Sequence, residues 1–181
     1  YALSGVFVDA GKRDGKVVFA ATDSRRLSVV QITADVGGDF SPPVVPAAAI
    51  TAFLRCDRRS ECTIEVGQNS IRMICGATTI TSRLVDRRFP QYGSIIPRQA
   101  AHVVDIVASE LASVCQQAMV MTSDESKGVV FAFRDGLLSL KSSAASIGES
   151  DVALPISWST APMEITLIPE QITQALKTLP S

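Results

Sequence analysis

Histidine and tryptophan are almost missing: the 181-residue chain holds one of each, His102 and Trp158. There are four cysteines, Cys56, Cys62, Cys75 and Cys115, and none belongs to a C-x-x-C pair. One histidine and this cysteine spacing argue against zinc sites of the usual kinds, so no metal or other cofactor is expected. No G-x-S-x-G elbow and no G-x-x-x-x-G-K-S/T phosphate loop occurs. Long apolar runs are also lacking. Val17 to Ala21 and Val129 to Phe133 are among the longest, far below the roughly 20 residues of a membrane helix, so no membrane partner is expected. The N-terminus lacks the basic n-region and apolar core of a signal peptide, and it lacks an initiator Met. The chain therefore reads as a piece of something longer, and the cysteine usage favours a reducing cytosolic compartment.

An excess of charge of either sign is lacking too. Seventeen Lys+Arg stand against 18 Asp+Glu, a net charge of -1. That argues against a simple cationic nucleic-acid binder, which would need a large basic excess. The distribution is uneven, with 12 basic and 9 acidic residues in 1–97 but 5 and 9 in 98–181. Either the two segments carry different surfaces, or unlike ends meet head to tail, or the split is drift between two solvated surfaces.

Hydrophobic residues make up 46% of the chain, enough to bury the core of one medium domain or two small ones. Chemistry is harder to find. His102 opens the apolar stretch Ala101-His102-Val103-Val104 and reads as structural or solvent-exposed. Asp23, in Thr22-Asp23-Ser24-Arg25-Arg26, is the only acid with a busy polar neighbourhood, and Asp124-Glu125 reads as a solvated loop. Nothing assembles a nucleophile, a base and an oxyanion donor, so no catalytic residues are assigned.

Alternation and turn residues predict strands over Leu3 to Asp9, Lys16 to Ala21, Leu27 to Thr33, Cys62 to Val66, Ser70 to Cys75 and Thr78 to Val85. Pro46 starts a helix through Ile50, Phe53 and Leu54. Phe89 to Ser94, with its proline, reads as a linker. Further on, the pattern predicts a strand over His102 to Val107 and a helix from an Ser109 N-cap to about Met121. A hairpin across Asp135-Gly136, strands Ser150 to Trp158 and Met163 to Ile168, and a helix from Pro169 complete the pass.

Two landmarks repeat. Ser4-Gly5-Val6-Phe7-Val8 resembles Lys127-Gly128-Val129-Val130-Phe131, and Val45-Pro46 resembles Ile168-Pro169; both offsets are 123 residues. One shared period argues for tandem copies of one α+β fold. The first copy would lack an opening strand and helix and the second its last strands. Each truncated sheet would leave an open edge, completed either by segments not in this sequence or by a partner.

The residues then resemble a known family. Ala21-Thr22-Asp23-Ser24-Arg25-Arg26-Leu27 is similar to the A-T-D-G-H-R-L segment of the bacterial DNA polymerase III beta subunit, the sliding clamp. Thr81 to Tyr92, followed by Ile95-Ile96-Pro97, resembles that family's T-S-K/R-L-I/V-D-G-R/K-F-P-D-Y-x-x-V-L/I-P. Gly67 to Arg72 and Ser123 to Val129 also fit.

The resemblance implies a DNA clamp fold, tandem repeats of two helices packed on antiparallel β-sheets. Residues 1–97 would be most of the middle domain and residues 98–181 part of the third. It implies a non-enzymatic processivity factor, a bacterial cytoplasmic, nucleoid-associated protein. This would form a head-to-tail homodimeric ring around duplex DNA and bind no particular sequence. It would tether the DNA polymerase III alpha subunit, the clamp loader and other proteins with clamp-binding motifs. Carried over by residue, the partner-peptide cleft would comprise Leu3, Thr22, Ser24, Arg25, Arg26, Leu27, Pro90, Ser94 and Ile95. Leu3, Leu27, Pro90 and Ile95 would form its apolar floor and wall. Without the resemblance, Leu3 and Leu27 read as ordinary strand core. Val120 and Met121 would meet the neighbouring subunit or, alternatively, pack as helix-end core. Arg55 and Lys177 would face DNA.

There are departures. Ser24 and Arg25 stand where the family has Gly and His, and Ser94 stands where it has an Arg. Ala47-Ala48-Ala49 replaces a commonly basic helix start. Glu110, Gln116, Gln117 and Glu170 leave the second copy's helices poor in positive charge, and Ser142 to Ser150 fits only loosely. A second reading follows from them: a clamp paralogue that keeps the peptide cleft without encircling DNA. An enzyme built on Asp23 and Arg25-Arg26 is the weakest reading.

Overall fold

A computed structural model describes residues 4–10, 15–38, 40–56, 61–122, 127–144 and 148–179. The chain divides into two compact units, residues 1–97 and 98–181.

In the first unit, β1 (Gly5–Ala10), β2 (Lys16–Thr22), β3 (Leu27–Thr33) and β4 (Val44–Pro46) form an antiparallel sheet in the order β3-β2-β1-β4. After α1 (Ala47–Phe53), the strands β5 (Cys62–Val66), β6 (Ser70–Cys75) and β7 (Thr78–Arg83) make a meander. The two-residue period of the strands decides which side chains meet. It sends Val8, Val17 and Val45 of the first sheet and Ile71 and Met73 of β6 into one core, against Ala49, Ile50 and Phe53 of α1. Alanine-rich α1 forms on good propensity. Pro46 sits just outside it, at φ -55° and ψ 136°, so this proline ends β4 rather than occupying the first helical turn.

In the second unit, β8 (Val129–Arg134), β9 (Leu137–Ala144), β10 (Gly148–Pro155) and β11 (Met163–Leu167) take the order β10-β9-β8-β11. The helices α2 (Ala108–Met119) and α3 (Pro169–Leu176) contribute Val114, Cys115, Ala118 and Ile172 to a core with Phe131, Leu138, Leu140 and Leu154. Burying a leucine such as Leu140 contributes about 1.5–3 kcal/mol. The last turn of a helix leaves carbonyls open. The buried Ser142 hydroxyl fills one such gap, donating to the Ala118 carbonyl at 2.9 Å. Asp135 (φ 50°) and Gly136 (φ 76°) both take positive φ, as a two-residue type I′ hairpin requires.

The two four-stranded sheets thus share one topology, with the third, second, first and fourth strands in that spatial order. The 123-residue period survives in topology and slips in register. Gly5 pairs with Pro46, whereas Val129 pairs with Leu167, so the second pairing is displaced by one residue from strict repetition.

Three local expectations are corrected. Residues 102–107 are irregular, although four β-branched apolar residues stand there; Ile106 reaches the core while Val103 is 77% exposed. β-branched residues alone cannot make a strand without a ladder of backbone partners, and among the described residues none pairs with this segment. Ser109 lies inside the first turn of α2, and the N-cap is Val107 without a side-chain bond. Phe89 to Ser94 is no linker, because its rings pack into the first unit.

Gly5 is required sterically. A Cβ there would lie 2.6 Å from Val44 Cγ1 and 2.8 Å from the Val45 carbonyl oxygen, and backbone cannot step aside. At Gly128 the only clash is with the Thr166 methyl at 2.9 Å. Gly5→Ala should therefore destabilise the first unit by about 1–3 kcal/mol through overpacking, and Gly128→Ala should cost less. Denaturant unfolding of both variants checks this, and equal midpoints would defeat the argument.

Candidate functional site

The turn from β2 to β3 is built by its own side chains. Asp23 Oδ1 accepts the backbone N–H groups of Arg25 and Arg26, each at 3.0 Å, and Oδ2 accepts Arg26 Nε–H at 3.0 Å. Thr22 Oγ1 donates to the Arg26 carbonyl at 2.8 Å and accepts the Ser24 N–H at 3.2 Å. The Asp23 N–H closes the turn on the same Arg26 carbonyl. These bonds hold Ser24 at φ 74°, a left-handed conformation costing a side-chain-bearing residue about 1–2 kcal/mol. The Gly of the resembled motif would sit there without that strain.

Asp23 is therefore an organiser of the turn, and nothing in its surroundings makes it a general base. The Arg25 and Arg26 amides hold its carboxyl below the usual carboxylate range, and the Arg26 guanidinium adds to them. The sequence singles out Asp23 for its polar neighbourhood but does not give it this turn-organising role; the signal was an Asx-type acid two residues before an arginine pair.

A second cluster forms on the sheet face opposite the core. Phe7 stacks on Phe89 with ring centroids 5.1 Å apart, and Tyr92 meets both edge-on, 6.2 Å from Phe7 and 6.0 Å from Phe89. Such ring pairs are each worth about 0.5–1.5 kcal/mol beyond burial, which anchors this segment. Tyr92–Ser94 is a single 3-10 turn, and the Ser94 hydroxyl donates to the Gln91 carbonyl at 3.0 Å.

The sheet register relates the two clusters. Phe7 lies opposite Ala20, and Ala20 opposite Val29, in one row across the strands. Two residues further along β2 and β3, Thr22 lies opposite Leu27. Side chains two apart on a strand share a face. Thr22, Leu27, Phe7 and the Phe89–Tyr92 segment therefore belong to one side of the sheet. Thr22, Leu27 and Pro90 are half-buried, Ser24, Arg25, Arg26 and Ser94 are exposed, and Ile95 is 68% exposed. Leu3 lies outside the described residues.

The other candidates belong to other elements. Arg55 follows α1 and Lys177 is the C-cap of α3, both exposed. Val120, the C-cap of α2, is exposed, and Met121 is half-buried. The ring of His102 rests on Trp158 at 5.2 Å, a packing arrangement. Among the described residues no three of His, Cys, Asp and Glu are grouped to hold a metal, and no helix is long and apolar enough to cross a membrane.

A family model described as "DNA polymerase III beta subunit, central domain" matches residues 1–91. The chain is 26% identical over 171 residues to the beta sliding clamp of Chlamydia trachomatis, covering 93% of this chain and 41% of that protein. It is similar in structure to a sliding clamp from Pseudomonas aeruginosa bound to griselimycin, with a TM-score of 0.91 and 24% identity, covering 100% of this chain and 49% of that one. It is likewise similar to Caulobacter crescentus pol III beta, with a TM-score of 0.90 and 22% identity, covering 100% and 50%. The chain thus spans about half the length of the relatives it matches.

The Asp23 bonds give a pH signature. Its folded value is depressed, so the turn's stabilisation is complete above the ordinary value of 3.8 and is lost as pH falls through the lower folded value. In an NMR titration the Arg25 and Arg26 amides should move together with a midpoint below 3.8. A midpoint at or above that value would break the assignment.

Proposed function

The chain belongs to the DNA polymerase III beta subunit family, and from that premise we propose that it is part of a sliding clamp, a non-catalytic processivity factor in the bacterial cytoplasm. Residues 1–97 are most of its middle domain and residues 98–181 part of its third. The complete protein closes as a head-to-tail homodimer around duplex DNA. A closed ring is retained by topology, so Arg55 and Lys177 need only loose contact with phosphates, and a net charge of -1 is compatible with DNA as a partner.

The second part of the proposal is peptide capture on the outer face of the first sheet. The observation that carries it is the shared face of Thr22, Leu27 and the aromatic-anchored segment leading to exposed Ile95. Leu3, Leu27, Pro90 and Ile95 supply the apolar surface. Thr22, Ser24, Arg25, Arg26 and Ser94 supply polar groups that fix direction. The occupants are short motifs of the polymerase alpha subunit, the clamp loader and other replication or repair proteins. Burying a few Leu and Phe anchors gives exchangeable, micromolar contacts, about 8 kcal/mol in total.

Two experiments on the full-length protein test these statements. A peptide with a Gln followed by Leu and Phe anchors should bind with micromolar affinity in calorimetry. Ile95→Asp should weaken that binding at least tenfold and leave the melting temperature unchanged, because Ile95 is already in water. Unchanged affinity would remove Ile95 from the cleft. For the ring, Val120→Asp should weaken self-association in sedimentation runs at low micromolar protein, again without a thermal shift. A dimer indifferent to that charge would separate Val120 from the interface.

A further inference from the structure

β5 is an outer strand of its three-stranded sheet, and its first residue, Cys62, lies directly across from Cys75, the last residue of β6. Directly opposed residues of antiparallel strands share a face, with Cα atoms about 4.5–5.5 Å apart. That separation falls inside the roughly 4.4–6.8 Å span of a disulfide. The side chains have already converged: Cys62 Sγ is 2.9 Å from Cys75 Sγ, well inside ordinary sulfur–sulfur contact. Access is asymmetric. Cys62 is exposed and Cys75 is 4% exposed, so a reagent reaches one sulfur of the pair first. Cys115 differs on both counts, being fully buried in the second unit, with a thiol pushed up to about 11 by burial.

We propose that Cys62 and Cys75 are a reversible modification site, closing to a cross-strand disulfide when they meet a low-molecular-weight disulfide of the glutathione type. The Cys62 thiol loses its proton and its thiolate attacks one sulfur of the oxidised glutathione. A protein–glutathione S–S bond forms, the glutathione S–S bond breaks, and one glutathione leaves as thiolate and takes up a proton. The Cys75 thiolate then attacks Cys62 Sγ and displaces the second glutathione in the same way. The protein gives up two protons and two electrons, and one glutathione disulfide becomes two thiols; excess reduced glutathione runs the sequence backwards. The product fixes the edge strand β5 to β6 and closes the loop through Gly67, Gln68 and Asn69.

The test uses the folded full chain, equilibrated at graded ratios of oxidised to reduced glutathione, quenched in acid, alkylated under denaturing conditions and analysed by mass spectrometry. Of the four cysteines, two should become refractory to alkylation at oxidising ratios, with a digest peptide linking 62 to 75. The amides of β5 should then exchange with deuterium at least tenfold more slowly, and reduction should restore the original rates. Cys75→Ser should stop at a mixed disulfide on Cys62. Four alkylatable thiols at every ratio, or a linkage that joins either residue to Cys56, would overturn the proposal. The wild-type result stands alone should a variant fail to fold.

Discussion

Strand β1 is covered from both sides, and the rest of the first unit is arranged around that fact. Val8 points into the core shared by α1 and β6, while its neighbour Phe7 points the other way, under Phe89 and Tyr92. A slip of one residue would exchange the two side chains, forcing the large Phe7 ring into the core and leaving Phe89 and Tyr92 without their aromatic partner. Gly5 tightens the constraint from the backbone side, since β4 approaches too closely for any side chain there. The register of β1 against β2 is therefore fixed, and so is the position of the Thr22–Leu27 turn along the sheet face that the Phe89–Tyr92 segment covers.

The legible parts of the fold were those set by local rules. β3, β5 and β6 begin and end where alternation and the flanking turn residues put them, and Asp135-Gly136 makes the hairpin that its dipeptide announces. The misread parts depend on partners distant in sequence. Phe89 to Ser94 looks like a connector because proline and polar residues dominate it, yet two of its rings find Phe7 more than eighty positions away. Residues 102–107 carry a strand's β-branched composition without, among the described residues, a ladder. The 123-residue repeat predicted shared topology correctly but could not reveal the one-residue register slip between Gly5–Pro46 and Val129–Leu167. The candidate site was less legible still. Composition and motifs gave only an acid and two arginines in a turn, and the grouping of Thr22 with Pro90 came from family resemblance. Leu27 and Val29 differ in no way from ordinary strand residues until the register shows which face they share.

The β2–β3 turn shows how a departure from a family pattern is accommodated. Ser24 occupies a left-handed position that glycine fills without strain. Five hydrogen bonds from the Thr22 and Asp23 side chains surround it. The carboxylate that stabilises the strained turn also holds Arg26 Nε, so the guanidinium is oriented before any ligand arrives. An arginine already fixed loses less conformational freedom on binding than a mobile one. The same bond draws on the charge that Arg26 could offer an acidic group; on the proposed reading, that suits positioning a peptide backbone better than anchoring a carboxylate.

On the proposed reading, weak attraction is consistent with function. A protein that held DNA by counterion release would need many phosphate contacts, and its affinity would collapse as salt rose. Two exposed cations, Arg55 and Lys177, on a chain of net charge -1 cannot supply such a grip. Retention then has to come from enclosure, which requires the parts of the protein beyond the half spanned here. Peptide capture obeys the opposite rule, since nothing encloses the peptide. Its affinity must come from apolar area held ready in the open, and Ile95 and Ile96, both exposed beside the aromatic-anchored turn, are that kind of surface. One molecule can thus be permanent on its track and interchangeable in its partners, because the two forms of binding depend on different physics.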